Sequence, residues 1–307
     1  MKCQRCQKPA VISTSNGTFC ADHFKENFER IAVSTIKKYG LISPGETIAV
    51  ANSGGKDSLS LLYVLSKRYS KTNKIVSITI DEGIKGYRDK TIEIMKKHTE
   101  AMNVEYRIFS YKDFAGKEMD EIIKVKKGIP CATCGVLRRY LLNLAAFEVH
   151  ADKIATAHNL DDEAESAVMN LIQNDFDKLL RSGPVSGLGP KNGFVPRIKP
   201  FIFISEKETM LFSMLNGIDA VHSPCPYAGF GFRGVVSRKI KEMESFKAGS
   251  KRSIVEKAMK IKASRSALEP EKSAQKCRIC GFPSAGDICD FCKIKAELGK
   301  AESSPVS

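Results

Sequence analysis

Short apolar runs alternate with amphipathic stretches through the middle of the chain. Runs that are apolar throughout are typical of strands buried on both faces of a parallel sheet. We predict four such strands, at about 47–52, 75–80, 104–109 and 153–157. Stretches with helical spacing follow them, and we predict helices at about 57–69, 88–102, 113–127, 136–150 and 162–173. This order predicts an α/β fold with a Rossmann-like core built on a parallel sheet.

The amino-terminal and carboxyl-terminal parts depart from this alternation. Phe24, Phe28 and Ile31 follow helical spacing and predict an amphipathic helix over 22–40. We predict a basic helical segment over 231–274. Few acidic residues interrupt its cations, whereas a solvated helix face usually carries both signs of charge. We interpret it as a surface for an RNA backbone, with an ordinary surface helix as the alternative. Its cations are Arg238, Lys239, Lys241, Lys247, Lys251, Arg252, Lys257, Lys260, Lys262 and Arg265.

The overall composition indicates a globular chain with a polyanionic partner. The chain has 307 residues, 42% hydrophobic and 27% charged, which suits one sizeable α/β domain with small appendages. No apolar run approaches the roughly 20 residues that span a bilayer, and no export signal is visible. We therefore expect a cytoplasmic protein with no membrane partner. The formal net charge of +14 favours nucleic acid as the partner, and a generally basic proteome is the alternative explanation.

Eight residues fall into two groups with the spacing of zinc ligands. Ten cysteines in a chain without an export signal favour metal binding over disulfides. Paired C-x-x-C and C-x-x-H motifs are typical of small zinc knuckles, and a redox C-x-x-C would need a thioredoxin-like strand and helix around it. We predict an amino-terminal knuckle over 1–24 with the ligands Cys3, Cys6, Cys20 and His23. We predict a carboxyl-terminal knuckle over 275–296 with the ligands Cys277, Cys280, Cys289 and Cys292.

The first predicted strand runs into a loop with the sequence SGGKDS. A strand, a glycine turn and a helix start form an anion site, because backbone N–H groups converge there and the helix dipole favours negative charge. The spacing differs from a Walker A loop and matches the PP-loop of ATP pyrophosphatases, which cleave ATP between the α- and β-phosphates. The predicted phosphate-binding residues are Ser53, Gly54, Gly55, Lys56, Asp57 and Ser58.

The ends of two further strands carry the rest of the predicted nucleotide site, because ligands of open α/β sheets bind beyond the carboxyl ends of strands. Ile80 and Asp81 end the second strand, and we expect them to face adenosine, with the backbone of Ile80 reading the adenine. Ala157 and His158 end the fourth strand, and Asp161 follows where magnesium on the triphosphate could be held. A plain turn at the second strand and helix capping after the fourth are the simpler alternatives.

Three cysteines remain outside the two knuckles. Cys131 and Cys134 lie at the start of a predicted helix, and Cys225 lies far along the chain between two prolines. One interpretation is a cubane iron–sulfur cluster on three cysteines, with the fourth iron open to a sulfur ligand. A second is a persulfide relay in which one cysteine carries sulfur and another resolves it. The third is a set of unrelated buried thiols.

Taken together, these motifs resemble the tRNA 2-thiouridine synthetases of the TtuA and cytosolic thiouridylase group. The resemblance spans both knuckles and the segments SGGKDS, PCATCG, HNLDDEAES, RIKP and SPCP. It implies an adenine nucleotide alpha hydrolase-like core, two Zn²⁺ ions, and a 4Fe–4S cluster on Cys131, Cys134 and Cys225. It also implies that ATP, with Mg²⁺, activates the C2 oxygen of a tRNA uridine, that sulfur replaces this oxygen, and that AMP and pyrophosphate leave. The implied sulfur donor is a thiocarboxylated ubiquitin-like protein or free sulfide.

One position departs from part of the group. TtuA-type enzymes of thermophiles have a catalytic lysine four residues after the second cluster cysteine, where this chain has Arg138. The cytosolic wobble thiouridylases have CGVFRR-like sequences, close to CGVLRR here, so the resemblance favours the wobble uridine over the T-loop uridine at position 54. Arginine stays charged, and we expect an electrostatic clamp rather than a proton donor. The expected catalytic residues are Asp57, Cys131, Cys134, Arg138, Asp161 and Cys225.

These segments predict a modular chain. A catalytic domain over 25–230 lies between the amino-terminal knuckle and the basic segment, and we expect residues 297–307 to form a disordered tail. We also expect a homodimer. Two other function classes compete: another PP-loop enzyme, such as a tRNA-lysidine synthase or a small-molecule amidotransferase, and a non-catalytic RNA-binding zinc protein.

Overall fold

The fold of the amino-terminal module is set by a hairpin and one long helix. The structure, a computed structural model, describes residues 1–180, 182–186, 193–221, 223–228, 231–266, 275–284 and 286–300. Strands β1 (Ile12–Thr14) and β2 (Gly17–Phe19) pair antiparallel. Helix α1 (Ala21–Lys38) follows them, close to the predicted bounds, and buries Phe24 and Phe28.

A six-stranded sheet forms the centre of the molecule. Its strands are β3 (Thr47–Ala51), β4 (Lys74–Asp81), β5 (Glu105–Ser110), β6 (Lys153–Ala155), β7 (Val185–Ser186) and β8 (Arg197–Ile198). Their order is β5-β4-β3-β6-β8-β7, and every neighbouring pair except β7–β8 is parallel. The predicted parallel-sheet α/β core is therefore confirmed, although β6 ends two residues before its predicted end.

Helices connect the strands and cover both faces of the sheet. They are α2 (Lys56–Tyr69), α3 (Arg88–Ala101), α4 (Tyr111–Ala115), α5 (Met119–Val125), α6 (Pro130–Glu148), α7 (Leu160–Ile172), α8 (Phe176–Leu180) and α9 (Glu206–Leu215). The predicted helix over 113–127 is wrong as a single element. Gly116 has φ +81° at the end of α4, and this left-handed residue stops the first helix before α5 begins.

Two hydrophobic cores lie on opposite faces of the sheet, because successive side chains of a strand point to opposite faces. Along β3, Ala49 belongs to one core, whereas Ile48 and Val50 belong to the other. The Ala49 core contains residues of α6 and of the carboxyl-terminal knuckle, and the Ile48 core contains residues of α1, α2 and α9. The two cysteine-rich ends of the chain thus pack on different faces of one sheet.

The carboxyl-terminal part is mostly helical. Its elements are α10 (Arg233–Phe246), α11 (Ser250–Ser266), β9 (Gln275–Lys276), β10 (Pro283–Ser284) and α12 (Asp290–Lys300). The predicted start of the disordered tail at 297 is wrong, because α12 continues to Lys300 and buries Leu298 in the core. Residues 267–274 of the predicted basic segment and 301–307 of the predicted tail lie outside the described residues. No helix of the described part combines the length and apolar character needed to cross a membrane.

Candidate active site

The loop between β3 and α2 adopts a backbone that only glycine fits at one position. Gly54 has φ +77°, and a Cβ atom placed there would lie 2.1 Å from the backbone oxygen of Thr91. Gly55 is the N-cap of α2, and no side chain caps this helix start. The start of α2 therefore offers backbone N–H groups and the positive end of the helix dipole to an anion.

Asn52, which the sequence analysis missed, organises this loop from below. It is 2% exposed, and its Oδ1 accepts hydrogen bonds from the Gly54 N–H at 3.0 Å and from Ser58 Oγ at 3.1 Å. Ser53 N–H donates to Ser58 Oγ at 3.1 Å. The signal in the sequence was a polar residue at the end of an apolar strand, directly before the glycines. Asn52 and Ser58 hold the loop shape, and the side chains of Lys56 and Asp57 take no part in these hydrogen bonds.

The ammonium group of Lys56 lies between two carboxylates. Its Nζ is 2.8 Å from Asp57 Oδ2 and 3.5 Å from Glu206 Oε1, at the start of α9. Desolvation by burial opposes the charged form, but Asp57 and Glu206 outweigh it and raise the pKa of Lys56. Asp57 Oδ1 also accepts a hydrogen bond from Asn159 Nδ2 at 3.4 Å. The PP-loop thus meets the start of α7 where the strand order reverses between β3 and β6, the usual ligand position of such sheets.

Asp161 is held by protein groups on both of its oxygens. Its Oδ1 forms an ion pair with Lys251 of α11, and its Oδ2 accepts a hydrogen bond from the Glu206 N–H at 2.9 Å. The side chain is buried, so it connects α7, α9 and α11 rather than facing open solvent. The helix cap itself is Asn159, in a reciprocal capping box with Asp162, and not Asp161 or Asp162 as the simpler alternative had it.

The remaining predicted residues of the strand ends lie at the same edge of the sheet. Ile80 is buried and its carbonyl oxygen accepts a hydrogen bond from Arg88 Nη2, while Asp81 Oδ1 accepts one from the Gly83 N–H at 2.9 Å. Ala157 packs against the core that contains α2. Ile80 and Asp81 are thus the last two residues of β4, and their contacts lead into the turn at Gly83.

His158 follows Ala157 and is partly exposed. Its Nδ1 lies 3.0 Å from Thr156 Oγ1. Desolvation within the cleft, followed by the nearby cations Lys199, Arg233 and Arg197, lowers the pKa of His158 to about 3. The imidazole is therefore neutral at neutral pH. Burial raises the pKa of the neighbouring Asp162 to about 6, although Arg233 favours its charged form.

The three cysteines outside the knuckles lie around the start of α6. Cys131 and Cys134 are on its first turns, and Cys131 Sγ donates to the carbonyl oxygen of Tyr227 at 3.5 Å. Tyr227 lies in the turn that begins at Cys225, where the Ala228 N–H donates to the Cys225 carbonyl at 2.8 Å. Cys131 is exposed, and Cys134 and Cys225 are half-buried. The fold therefore brings the distant Cys225 turn to the helix that carries the other two thiols.

Cys134 has the most elaborate surroundings of the three. Its Sγ lies 3.3 Å from the Tyr111 hydroxyl and accepts a hydrogen bond from Arg138 Nη2 at 3.3 Å. Arg138 Nε in turn lies 2.9 Å from Glu82 Oε1. Desolvation opposes the charge of Arg138, but Glu82 and Cys134 raise the pKa of this guanidinium, so Arg138 is a permanent cation beside the thiol.

Comparison with known proteins is consistent with this geometry and names the group. A family described as "PP-loop domain" matches residues 22–200. The chain is 35% identical to the tRNA-5-methyluridine(54) 2-sulfurtransferase of Pyrococcus horikoshii, over 99% of this chain and 97% of that protein. It is 31% identical to the tRNA 2-thiolation protein NcsA of Haloferax volcanii, over 96% and 98% of the two chains. The chain belongs to the PP-loop family of tRNA 2-thiolation proteins.

A solved structure of this family has the same fold. The U34-tRNA thiolase NcsA from Methanococcus maripaludis, solved with its 4Fe–4S cluster, is 33% identical and gives a TM-score of 0.84, with 97% of this chain and 96% of that chain covered. The expected family and fold class are thereby confirmed. The names of the relatives differ on the target, since one names uridine 34 and another names position 54.

Two compact ligand groups flank this family core, as the cysteine spacing predicts. In each group the four candidate ligand atoms lie within 4.8 Å of one another. The groups are Cys3, Cys6, Cys20 and His23 at one end and Cys277, Cys280, Cys289 and Cys292 at the other. Backbone N–H groups support the second group, since Cys289 N donates to Cys277 Sγ at 3.3 Å. Among the described residues, the trio of Cys131, Cys134 and Cys225 forms no group of this compactness.

The carboxyl-terminal knuckle is docked on the helix that carries two of the central thiols. The ring of Tyr140 on α6 stacks on Phe291 with centroids 3.8 Å apart and planes 6° apart. Cys277, Cys289 and Cys292 belong to the same core as Leu137 and Leu141. The knuckle and α6 therefore pack as one unit.

In the described part of the basic segment, some cations contact acidic or carbonyl groups of the protein and others are exposed to solvent. Lys251 pairs with Asp161, Lys241 Nζ lies 3.1 Å from Glu206 Oε2, and Lys262 Nζ donates to the Ser182 carbonyl at 2.9 Å. Arg252 pairs with Glu256 and Lys239 with Glu242 on their own helices. The exposed cations include Arg238, Lys247, Lys257 and Lys260, and the side chain of Arg265 is outside the described part.

Proposed function

We propose that this protein is a tRNA-uridine 2-sulfurtransferase that uses ATP to activate the C2 oxygen of a uridine and then replaces this oxygen with sulfur. The observation that supports it most directly is the continuity of the site. Arg88 Nη1 donates to the Ser53 carbonyl in the PP-loop at 2.8 Å, and the same side chain pairs with Glu82, which pairs with Arg138 beside Cys134. A nucleotide loop and a sulfur-bearing helix thus share one network.

The nucleotide is held by the PP-loop in this proposal. The β- and γ-phosphates bind at the start of α2, through the backbone N–H groups of the loop and the hydroxyls of Ser53 and Ser58. Lys56 exchanges its carboxylate partners for phosphate oxygens, and Asp57, released from Lys56, is free to hold Mg²⁺. Asp161 can contact the metal only after its ion pair with Lys251 breaks. The first role of Asp161 is therefore to position α11 against α7.

Activation of the uridine follows from the position of the α-phosphate. The target base leaves its stack and enters the opening between the PP-loop and α6, as enzymes acting on bases require. The uracil C2 oxygen attacks the α-phosphorus, the bond from this phosphorus to the bridging oxygen breaks, and pyrophosphate leaves with its electron pair. Arg138, a permanent cation, stabilises negative charge as it develops near Cys134. His158 is neutral and can accept or donate a hydrogen bond at the opening.

The donor chemistry of Cys131, Cys134 and Cys225 fits a 4Fe–4S cluster. Three thiols from two segments, one exposed and two half-buried, leave one side of the site open, whereas a structural metal would have a closed set of ligands. When bound by three cysteines, such a cluster supplies one iron with an open position for a sulfur ligand. Sulfur attack at C2 then expels AMP, which carries the former C2 oxygen, and no net oxidation or reduction is needed.

Partners follow from charge and resemblance. We propose that tRNA lies along the exposed cations of α10 and α11, through its phosphates. The wobble uridine is the favoured target because CGVLRR is similar to the wobble thiouridylases, with position 54 as the alternative. A thiocarboxylated ubiquitin-like protein or sulfide is the proposed donor, Zn²⁺ the proposed metal of both knuckles, and a homodimer the proposed assembly. The expected location is the cytoplasm.

Thiolation of purified tRNA tests this function. Anaerobically reconstituted protein is incubated with ATP, Mg²⁺, sulfide and tRNA from a strain that lacks 2-thiouridine, and the nucleosides are measured by mass spectrometry. We expect 2-thiouridine that depends on ATP, and fragment mapping assigns it to the anticodon or the T-loop. Absence of thiolated nucleoside with a loaded cluster would contradict the proposal.

The same assay separates a cluster from a persulfide relay. A cluster needs all three thiols, so Cys131→Ala, Cys134→Ala and Cys225→Ala should each abolish both iron retention and thiolation. A relay needs only a carrying and a resolving cysteine. Activity that survives the loss of one of the three, without iron, would favour the relay.

A further inference from the structure

Glu82, a residue outside the predicted site, is a buried carboxylate between the PP-loop and the thiols. It follows directly after β4 and is 4% exposed. Its backbone is fixed, since the Met119 N–H donates to the Glu82 carbonyl at 2.7 Å. A buried carboxylate is costly unless cations compensate for it, so its neighbours decide what it does.

One neighbour leads to the nucleotide loop. Arg88 Nε lies 2.6 Å from Glu82 Oε2, and the Arg88 side chain is equally buried. Arg88 Nη1 donates to the Ser53 carbonyl at 2.8 Å and Nη2 donates to the Ile80 carbonyl. The guanidinium therefore joins the first residue of the PP-loop to the end of β4. Its planar shape lets it make these contacts at the same time, which an ammonium could not do.

The other neighbour leads to the thiol. Arg138 Nε lies 2.9 Å from Glu82 Oε1, and Arg138 Nη2 donates to Cys134 Sγ at 3.3 Å. Tyr111, which is buried, lies 3.3 Å from the same sulfur and donates to the Cys134 carbonyl at 2.8 Å. Each oxygen of one carboxylate thus forms an ion pair with one guanidinium, and the two guanidiniums contact opposite ends of the site.

The charges of Glu82, Arg88 and Arg138 do not cancel. Two guanidiniums share one buried carboxylate, so one positive charge is left over, and the half-exposed Arg138 directs it at Cys134. If the Ser53 carbonyl moves when phosphate binds, the Arg88 side chain that donates to it moves as well, and the ion pair between Arg88 and Glu82 changes. Because the carboxylate is buried and shared, the position of Arg138 must adjust to that change.

We propose that Glu82 is a positioning residue that couples nucleotide occupancy of the PP-loop to the environment of Cys134 through Arg88 and Arg138. This inference rests on the proposed function only in that ATP binds the 53–58 loop. A purely structural Glu82 would stabilise the fold equally with and without nucleotide. The coupling, not the stability, is therefore the quantity that distinguishes the two roles.

The test uses the full chain without its cluster, under reducing anaerobic conditions. The probe is α,β-methylene-ATP at saturation, and the readout is the alkylation rate of Cys134 by iodoacetamide, measured peptide by peptide. For the wild-type protein we expect the nucleotide to change the Cys134 rate by roughly fivefold or more, the lower end of common site-to-site coupling. In Glu82→Gln the rates with and without nucleotide should become equal.

Two further variants make the result interpretable. Arg138→Gln removes only the contact to the thiol, at a half-exposed side chain, and should also abolish the nucleotide effect while α,β-methylene-ATP still binds. Glu93→Gln, an exposed carboxylate on α3, should retain the wild-type effect. If Glu82→Gln fails to fold, the nucleotide effect on Cys134 in Arg138→Gln decides the test.

Two outcomes overturn the inference: no nucleotide effect on Cys134 in the wild-type protein, or an undiminished effect in both Glu82→Gln and Arg138→Gln. The proposed function fails separately. A nucleotide effect on Cys134 in a protein that never makes 2-thiouridine would support the coupling and reject the sulfurtransferase activity.

Discussion

The peripheral and the central cysteines of this protein are organised in opposite ways. Each knuckle gathers four ligands from two short motifs, and their ligand atoms lie within 4.8 Å of one another. The central trio combines two thiols on one helix with a third from a turn about 90 residues away, and within the described residues it forms no such compact group. The knuckles have the four close ligands that are typical of structural metal sites, whereas the trio offers three thiols. We expect the first kind of cysteine to stabilise the fold and the second to take part in the proposed reaction.

Removal of a central thiol should have the largest effect on activity and almost none on the knuckles. In Cys225→Ala we expect thiolation to fall by at least about 100-fold, as for loss of a group needed in the transition state. Iron and acid-labile sulfide should be lost while the zinc content per chain is unchanged. Ser223→Ala, just before the turn that begins at Cys225, is the matched control and should keep iron, sulfide and zinc. Loss of zinc in Cys225→Ala would break the contrast.

Substitution of Gly54 in the PP-loop should weaken nucleotide binding and leave both knuckles unchanged. In Gly54→Ala the new methyl group would collide with the Thr91 carbonyl at 2.1 Å, in a backbone with φ +77°. We expect nucleotide affinity, measured by calorimetry, to fall by about tenfold or more, because the strain of roughly 1–2 kcal/mol adds to a backbone clash. Gly116→Ala has a similar φ of +81° but open space, and should lose stability while retaining nucleotide affinity.

The two knuckles themselves should differ, because they pack on different faces of the sheet. Cys280→Ser and Cys6→Ser each replace an exposed ligand, and each should remove about one zinc per chain. The carboxyl-terminal knuckle contacts α6 through Tyr140 and Phe291, so Cys280→Ser should also lower cluster retention. Cys6→Ser should lower the melting temperature with the cluster retained. Equal iron loss in both variants would contradict the assignment of α6 as the link.

A smaller effect is expected from the ion pair that connects the basic segment to the site. In Lys251→Ala the buried Asp161 loses its cation, and we expect the free energy of unfolding to fall by about 3 kcal/mol, the scale of a broken buried pair. Lys257→Ala, an exposed change on the same helix, should leave stability unchanged and weaken tRNA binding instead. Urea denaturation and filter binding measure the two effects. Equal destabilisation by both changes would argue against a stabilising role of the ion pair between Lys251 and Asp161.

The smallest effect concerns acid stability. The native state keeps the pKa of His158 at about 3, below its ordinary value, so native His158 resists protonation. The stability that depends on neutral His158 is complete above the unfolded pKa of about 6.5 and declines as the pH falls toward 3. His158→Gln should therefore lose less stability than the wild type between about pH 7 and pH 5. The raised pKa of Asp162 acts in the opposite direction in both proteins, and the difference between them isolates His158.

Much of this architecture could be predicted, and the errors have physical causes. The β–α order, the glycine loop and both knuckles are local patterns, and each occurs in the structure at its predicted place. The helix over 113–127 was predicted as continuous because polar helical spacing hides the left-handed turn at Gly116. The tail boundary at 297 was wrong because the burial of Leu298 depends on α6, not on its neighbours in sequence. Asp161 is predicted to hold magnesium and Lys251 to contact RNA, and their spacing in sequence gave no sign that the two side chains form an ion pair.

The covalent chain alone was sufficient for the sites whose members are close together, since C-x-x-C pairs and SGGKDS need only a turn to bring their atoms into place. The remaining features required the sheet order β5-β4-β3-β6-β8-β7 and the helices packed on it. Only that packing places Cys225 beside α6, Glu82 between two arginines, and Lys251 on Asp161. Except for Glu82 and Arg88, which are close in sequence, these partners are far apart in the chain, and the sequence does not show which groups meet around a buried charge.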